Sequence, residues 1–303
     1  MTGPPYPSTS AGVGGLPTIN EDVPITAIFL AIYLSFAAAN MAILQLNNRK
    51  GHKFLFSGMI FGFCMARTVT CIMRIVWANR QHNVRVAIAA NIFYNAGVLI
   101  VYLVNLVFAQ RVFRAMHKRV GWNTVFSWTF KALYACIVAL LILVVTTVIL
   151  QFYTLDHHIR EICLYCQRGA SIFLLAIACA PLFILFIGFV LPRDKDAEES
   201  FGHGILEHKA ILLSLTTILA TIIAGFRAGT SWEPPRPVTD PAWYDSKASF
   251  YNFGFVLEVL ILTLFVFGRV DKRFHVPNGS SKRKTYMAQA ENTLEKRESL
   301  ESV

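Results

Sequence analysis

Seven apolar runs, each about 20 residues long, limit what this sequence can fold into. The bilayer core offers the backbone no hydrogen-bond partner, so only helices and closed barrels can cross it, and these runs are too long for barrel strands. We therefore predict an all-α, polytopic membrane protein with a seven-transmembrane-helix bundle. Its spans are expected near 24–46, 54–77, 86–109, 128–152, 169–191, 209–231 and 250–268.

Composition and charge support the membrane class. The 303 residues are 55% hydrophobic and only 15% charged, whereas soluble domains carry about 25% charged residues. The net charge of +10 would suit a nucleic-acid partner, but the basic residues fall in short clusters between the apolar runs, as the positive-inside rule predicts. We expect an integral, multi-pass protein of the plasma membrane or another secretory-pathway membrane. Its partner is expected to be the lipid bilayer, and we expect no nucleic-acid partner.

The distribution of Lys and Arg predicts the orientation of the bundle. Of the 28 basic residues, 18 lie in the connections 47–53, 110–127 and 192–209 and in the tail, and six lie on the opposite side. This asymmetry favours an outside or lumenal N-terminus and a cytosolic C-terminus. The single N-x-S/T sequon, at Asn278, falls on the predicted cytosolic side, so its glycosylation would contradict this orientation.

The two ends of the chain differ from the apolar region 24–268. Residues 1–23 are rich in Pro, Gly, Ser and Thr and lack Lys and Arg, which predicts a disordered N-terminal segment and no cleaved signal peptide. Residues 269–303 are basic and polar, and we expect a mostly disordered cytosolic tail. The loop SWEPPRPVTDPAWYDSKASFY contains four prolines and two tryptophans. It is expected either to anchor at the outer interface or to cover an outward-facing cavity.

Charged residues inside the predicted spans point to an ion pair. Arg67 and Arg74 are seven residues apart and share one face of span two. This face must meet protein or water, because an arginine facing lipid costs several kcal/mol. At 1.5 Å per residue, Arg67 lies roughly 15 Å below the outer end of its span, and Glu258 roughly 12 Å below the outer end of span seven. We therefore predict an intramembrane ion pair between Arg67 and Glu258.

Two further arginines lie closer to the predicted outer side. Arg227 is roughly 6 Å below the outer end of span six, close to the level of Arg74. Neither has an intramembrane acid of its own in the predicted topology. One interpretation is that the charges in the spans form only a structural ion pair, Arg67 with Glu258, which fixes the helix register. The other is that Arg74 and Arg227 bind an anion such as a carboxylate, phosphate or sulfate.

Span three carries a polar stripe. Asn91, Asn95, Tyr102 and Asn105 follow at spacings of four, seven and three residues, which places them on one helix face. Such side chains can hold neighbouring helices together by hydrogen bonds. Alternatively, they line a polar cavity.

The segment DHHIREICLYC, in a predicted outer loop, leaves three possibilities open. Its acidic, His and Cys side chains are of the kinds that bind zinc, but their spacing matches no common zinc motif. Cys163 and Cys166 are the only cysteines predicted to lie outside, so a disulfide there would join them to each other. The third possibility is that the segment neither binds a metal nor forms a disulfide. For the protein as a whole, we expect no metal and no cofactor. No P-loop, G-x-S-x-G or H-E-x-x-H motif occurs, so we expect no enzyme.

Several stretches resemble a known family. HKFLFSGMIFGFCMARTVTCIMRIVWA, GFRAGTSW, ASFYNFGFVLEVL and GRVDKRFHVPNGS resemble an uncharacterised family of fungal seven-helix integral membrane proteins, over about residues 25–280. In layout, the chain is also similar to the RTA-like group of fungal lipid-translocating exporters. That second resemblance implies a role in lipid translocation.

These observations favour two functions. The first is binding of a small amphipathic or anionic molecule, a lipid or a metabolite, in an outward-facing polar cavity, with a role in translocation or resistance. The second is a seven-helix sensor that signals through its basic cytosolic loops. Flux through reconstituted vesicles distinguishes the two.

Overall fold

Seven long helices, each apolar and long enough to cross a membrane, form most of the chain that the structure describes. The structure is a computed structural model and describes residues 3–7, 10–49, 54–192, 199–277 and 286. The spans are Ile19–Arg49, Leu55–Asn79, Val84–Met116, Thr124–Tyr153, His157–Val190, Leu206–Trp232 and Lys247–Phe267. The prediction of an all-α fold with seven helices long and apolar enough to span a membrane is confirmed.

Span three occupies the middle of the bundle. It packs against spans two, four, five and six, and most of its second half is buried. Spans one and seven pack against each other and close the bundle. Span four lies at the edge, where only Phe130, Ile137 and Thr147 are buried. Its remaining side chains are mostly aliphatic, as expected for a helix surrounded by lipid.

Span three is broken near its middle. It consists of two helices, Val84–Gly97 and Leu99–Met116. At the break, the N–H of Val98 bonds to the carbonyl of Ala96, whereas a continuous α-helix would use the carbonyl of Tyr94. The Tyr94 carbonyl is therefore free to accept hydrogen bonds from side chains.

Span seven also departs from a regular α-helix. A π-helical turn, Asn252–Val256, separates the helices Lys247–Tyr251 and Leu257–Phe267. Such turns occur often at functional sites. Within this turn Gly254 lies against the ring of Tyr94, where a β-carbon would come 2.5 Å from the tyrosine oxygen. The missing side chain at Gly254 lets spans three and seven approach each other.

We expect the substitution Gly254→Ala to lower the free energy of unfolding by about 1–3 kcal/mol, the usual cost of overpacking. Tyr94 cannot withdraw freely, because its ring stacks on Phe250 with centroids 4.8 Å apart. Unfolding in mixed detergent micelles measures the change. Gly229→Ala in span six is the matched control, since a β-carbon there meets no atom within 4 Å. Equal stability of the two variants would contradict the close approach.

One end of the bundle is covered by two segments, and we call it the N-face. Residues 10–18 run across it beside the proline-rich loop 233–246. Backbone contacts join Ser10 to Pro237, Ala11 to Arg236 and Gly14 to Asp245. The expectation that residues 1–23 are disordered is therefore wrong for the described part, since span one already begins at Ile19. The proline-rich loop covers the N-face together with the N-terminal segment, while Trp243 stays 74% exposed.

The opposite end, which carries the connections from span three to four and from five to six, is called the C-face. Tyr286 from the tail is buried there and packs against Trp122 and Phe201, with ring centroids 5.4 and 5.5 Å away. Its N–H donates to the Glu199 carboxylate at 3.1 Å. The predicted disorder of the tail thus does not hold at Tyr286. The tail is also ordered at its start, where Val270–Arg273 forms a short helix, whereas the Asn278 sequon and the other tail residues after 277 lie outside the described residues.

Span five begins earlier than predicted. The Asp156 carboxylate accepts a hydrogen bond from the N–H of His158 at 2.9 Å and so caps a helix that starts at His157. Cys163 and Cys166 therefore lie in this helix, as free thiols, and the possible disulfide is not formed. Among the residues that the structure describes, no group of three or more His, Cys, Asp or Glu side chains is placed to hold a metal ion.

Candidate functional site: a cavity beside a buried ion pair

The Arg67–Glu258 pair lies in the middle of the bundle. Arg67 Nε donates to Glu258 Oε2 at 2.6 Å, and Arg67 Nη2 bonds to Oε1. Both side chains are fully buried. Tyr33 of span one donates its hydroxyl to Oε2 at 3.1 Å. The two-pronged contact joins spans two and seven, as the comparison of helix depths predicted for Arg67 and Glu258, and the Tyr33 hydroxyl adds span one.

The third nitrogen of the Arg67 guanidinium, Nη1, points to span three. Arg67 Nη1 donates to the Tyr94 carbonyl at 2.9 Å, which the break in span three has freed. Gly97 makes room for the arginine, because a β-carbon there would lie 3.3 Å from Cζ. The rings of Phe63 and Phe255 also face the guanidinium, at 5.5 and 5.9 Å. These contacts are all within the protein, so the pair holds spans two, three and seven together.

Arg74 has an acid partner, contrary to prediction. Its Nη2 lies 3.0 Å from Asp22 Oδ1 and 2.6 Å from the Gly14 carbonyl. Lys247 and Tyr251 of span seven also bind the Asp22 carboxylate, at 2.8 and 2.7 Å. The interpretation of Arg74 as an uncompensated anion-binding residue is therefore wrong. Hydropathy predicts that span one starts near residue 24 and so leaves Asp22 outside it, whereas Asp22 lies in the first turn of span one.

Arg227 differs from the other two arginines. Its Nη2 donates to the Tyr94 carbonyl at 3.2 Å, so Arg67 and Arg227 share this acceptor. Its Nη1 lies 3.5 Å from the side-chain oxygen of Asn95, and the guanidinium stacks over the Tyr94 ring at 4.6 Å. Within the described ranges Arg227 has no carboxylate partner. Its charge is therefore available to an anion.

A cavity of about 160 Å³ lies beside Arg227, between spans three, four, five and six. Its lining combines Arg227 and a few neutral polar groups with aliphatic walls. The lining residues are Ile92, Asn95, Ala96, Val98, Leu99, Tyr102, Leu141, Val144, Val145, Val148, Gln167, Ser171, Leu174, Ala224, Arg227 and Ser231. Such a combination of apolar walls and a few polar groups is typical of small-molecule sites.

Two polar atoms on this lining have no hydrogen-bond partner in the part of the chain that the structure describes. The Tyr102 side chain is only 2% exposed, yet its hydroxyl has no hydrogen-bond partner among the described residues, and neither does Arg227 Nε. Buried polar groups are nearly always hydrogen-bonded, so each such exception needs an explanation. Both groups are able to donate, and an acceptor of negative charge in the cavity would satisfy them.

The predicted polar stripe divides between its middle, where one residue on each side of the break in span three reaches the cavity, and its two ends. Asn95 and Tyr102 line the cavity, whereas Asn91 and Asn105 do not. Asn105 instead accepts from Thr216 of span six at 3.1 Å and so holds two helices together. Both interpretations of the stripe thus apply, each to part of it.

Some cavity residues were not singled out from the sequence. With span five predicted to begin near residue 169, Gln167 falls in a loop and Ser171 at the end of a span. Ser231 lies at the end of span six. Once Asp156 is recognised as a helix cap, Gln167 and Ser171 fall four residues apart on one face of span five.

Comparisons with known proteins place the chain in a family. No curated protein and no solved structure matches it. A family model with the description "Protein of unknown function (DUF3112)" matches residues 119–203 and 198–275, together just over half of the chain. The matched part covers spans four to seven and includes Arg227 and Glu258. The prediction of an uncharacterised family is thereby confirmed. This chain is a member of the family of proteins of unknown function DUF3112.

Proposed function

We propose that this membrane protein binds a small amphipathic anion in the cavity beside Arg227 and acts in its translocation or in resistance to it. The observation that carries the proposal is a half-buried arginine with no acid partner among the described residues, on the wall of a cavity that also holds the Tyr102 hydroxyl, which has no hydrogen-bond partner among them. A charge in such a setting is costly unless it is paired, and an anionic ligand supplies the missing charge.

The distribution of polar groups in the cavity supports an amphipathic ligand. Asn95, Gln167, Ser171 and Ser231 lie toward the N-face, whereas span four contributes only aliphatic side chains. A ligand with its charged group at Arg227 and its apolar part against span four would contact matching surfaces throughout. No residue of the cavity has the arrangement of a nucleophile with a base, so the proposal is one of binding and not of catalysis.

The orientation of the bundle is part of the proposal. The excess of Lys and Arg around the C-face favours a cytosolic C-face and an outward or lumenal N-face. In this orientation, the polar end of the cavity faces outward. The layout similar to RTA-like exporters agrees with a role at the plasma membrane or in the secretory pathway.

A sensor is the second candidate, and one observation favours it. Arg227 and Arg67 share the Tyr94 carbonyl, so a ligand that draws Arg227 away from it changes the surroundings of the central ion pair. A sensor would respond to the ligand without moving it across the membrane. Flux of the bound molecule in reconstituted vesicles distinguishes the candidates, because a sensor gives none.

We expect the substitution Arg227→Gln to deplete bound anions about ten- to hundredfold, because a hydrogen bond to a charged group contributes about 1.5–3 kcal/mol. Untargeted mass spectrometry of the lipids and metabolites that copurify with the protein measures this loss. Arg80→Gln is the matched control, because Arg80 is exposed at the N-face and outside the cavity. A folded Arg227→Gln variant with the same anions as the unmodified protein would refute the proposal.

A further inference from the structure

We infer that the ligand of this cavity is a single-chain lipid carboxylate that enters from the bilayer between spans three and four. The inference rests on the proposed function and specifies its ligand. It follows from three features of the cavity: which of its walls are closed, what covers its polar end, and how much room it offers.

At the level of the cavity, three of the four helix interfaces around it are closed by hydrogen bonds between side chains. Each bond joins a different pair of spans near the polar end of the cavity. The pairs are Gln167 with Thr147 at 3.4 Å, Ser171 with Ser231 at 2.8 Å, and Arg227 with Asn95 at 3.5 Å. The interfaces between spans four and five, five and six, and six and three are therefore held by polar contacts. The side-chain bonds between spans three and four, Tyr134 to Gln110 and Arg114 to Ser127, lie nearer the C-face.

The fourth interface differs. No hydrogen bond or ion pair joins the helix Val84–Gly97 to span four among the residues that the structure describes. The cavity wall on this side is aliphatic, with Ile92 and Ala96 on span three and Val145 and Val148 on span four. Helices that meet in lipid through aliphatic side chains alone gain little from the contact. Of the four interfaces, this is the one at which a hydrocarbon chain can insert between two helices with the smallest loss of free energy.

The polar end of the cavity is covered toward the N-face. Arg168 of span five donates to the carbonyls of Ser231, Trp232 and Glu233, at 3.0 to 3.5 Å. The N-terminal segment is also attached here, since the N–H of Tyr6 bonds to the carbonyl of Phe152 at 2.8 Å. A ligand from water would have to break these contacts, whereas a ligand dissolved in the bilayer would not.

The size of the cavity determines which part of the ligand it holds. A volume of about 160 Å³ is close to that of an engineered cavity that accommodates benzene. It therefore holds a carboxylate and the first few methylenes of a chain, while the rest extends into the bilayer between spans three and four. A single guanidinium with neutral donors beside it balances a single negative charge, which favours a carboxylate over a doubly charged phosphate.

Binding of palmitate to the protein in lipid nanodiscs tests this inference, with benzoate as a water-soluble carboxylate that fits the cavity and hexadecylamine as a cation of equal chain length. We expect palmitate to bind at one site at least ten times more tightly than either. Val145→Trp, which fills the space between spans three and four, should weaken palmitate binding tenfold or more. Ile142→Trp is the matched control, because Ile142 faces away from the cavity and is exposed. Val145→Phe is the milder variant if Val145→Trp does not fold.

Each outcome has a distinct meaning. Palmitate binding that is weakened by Arg227→Gln and by Val145→Trp supports the inference. If benzoate binds as tightly as palmitate and still requires Arg227, the proposed function stands and the lipid ligand is wrong. If palmitate binds equally well to both Trp variants, the entry between spans three and four is wrong. If neither carboxylate binds to the folded protein, the inference is wrong, and the copurified anions then decide the proposed function.

Discussion

Replacement of Glu258 by glutamine is expected to lower the free energy of unfolding by about 3–5 kcal/mol, because it leaves the Arg67 charge buried without its partner. Both side chains are fully buried, and the carboxylate accepts from Arg67 and from Tyr33. Glutamine preserves the shape but removes the charge, so lost packing contributes little to the effect. Equilibrium unfolding in mixed detergent micelles measures it.

Two variants make this test specific. Glu207→Gln removes an exposed acid at the start of span six and is expected to change the free energy of unfolding by less than about 0.5 kcal/mol. The double variant Arg67→Met/Glu258→Leu removes both charges and should be more stable than Glu258→Gln alone, since no unpaired charge remains. A double variant no more stable than Glu258→Gln would contradict this account of the pair.

Replacement of Asp22 by alanine is expected to cost about 3 kcal/mol and to release the N-terminal segment, because Arg74 and Lys247 both lose a buried partner. Asp22 also accepts from the backbone N–H of Thr18 at 2.8 Å, so the first turn of span one loses a stabilising contact as well. Hydrogen exchange of residues 10–18 should rise, since the Gly14 carbonyl is held by Arg74.

The neighbouring residue provides the control. Glu21 also binds Lys247, at 2.7 Å, but its side chain is 67% exposed, whereas that of Asp22 is fully buried. We expect Glu21→Ala to cost less than about 1 kcal/mol, as is usual for exposed ion pairs. If the two variants lose similar amounts of unfolding free energy, the buried contacts of Asp22 contribute no more to stability than the exposed ion pair of Glu21.

The bundle and its central ion pair could be predicted because each depends on a simple quantity. The spans follow from the length of apolar runs. The approach of Arg67 to Glu258 follows from depth, since two charges at one level in a bilayer gain by meeting. Depth does not identify which helices are neighbours. Only the structure shows that Tyr33 and the Tyr94 carbonyl complete the site.

The early start of span one and the break in span three depend on local backbone chemistry, and hydropathy does not predict them. Hydropathy predicts that span one starts only after its charged residues Glu21 and Asp22. Acidic residues are, however, typical of the first turn of a helix. The sequence Thr18-Ile19-Asn20-Glu21 also has the form of a capping box. The break at Val98 has no comparable signal, because Gly97 alone is tolerated inside helices. Without that break, the cavity and the sharing of the Tyr94 carbonyl could not be foreseen.

The separation of the two central charges along the chain has a consequence for biosynthesis. Arg67 and Glu258 are 191 residues apart, and a ribosome adds about 5–20 residues per second. Span two therefore spends about 10–40 s in the membrane before its acid exists. During this interval the arginine must be sheltered by water, lipid headgroups or the insertion machinery. A chain that stops before span seven lacks Glu258, so its Arg67 charge stays without the acid partner that the complete chain provides.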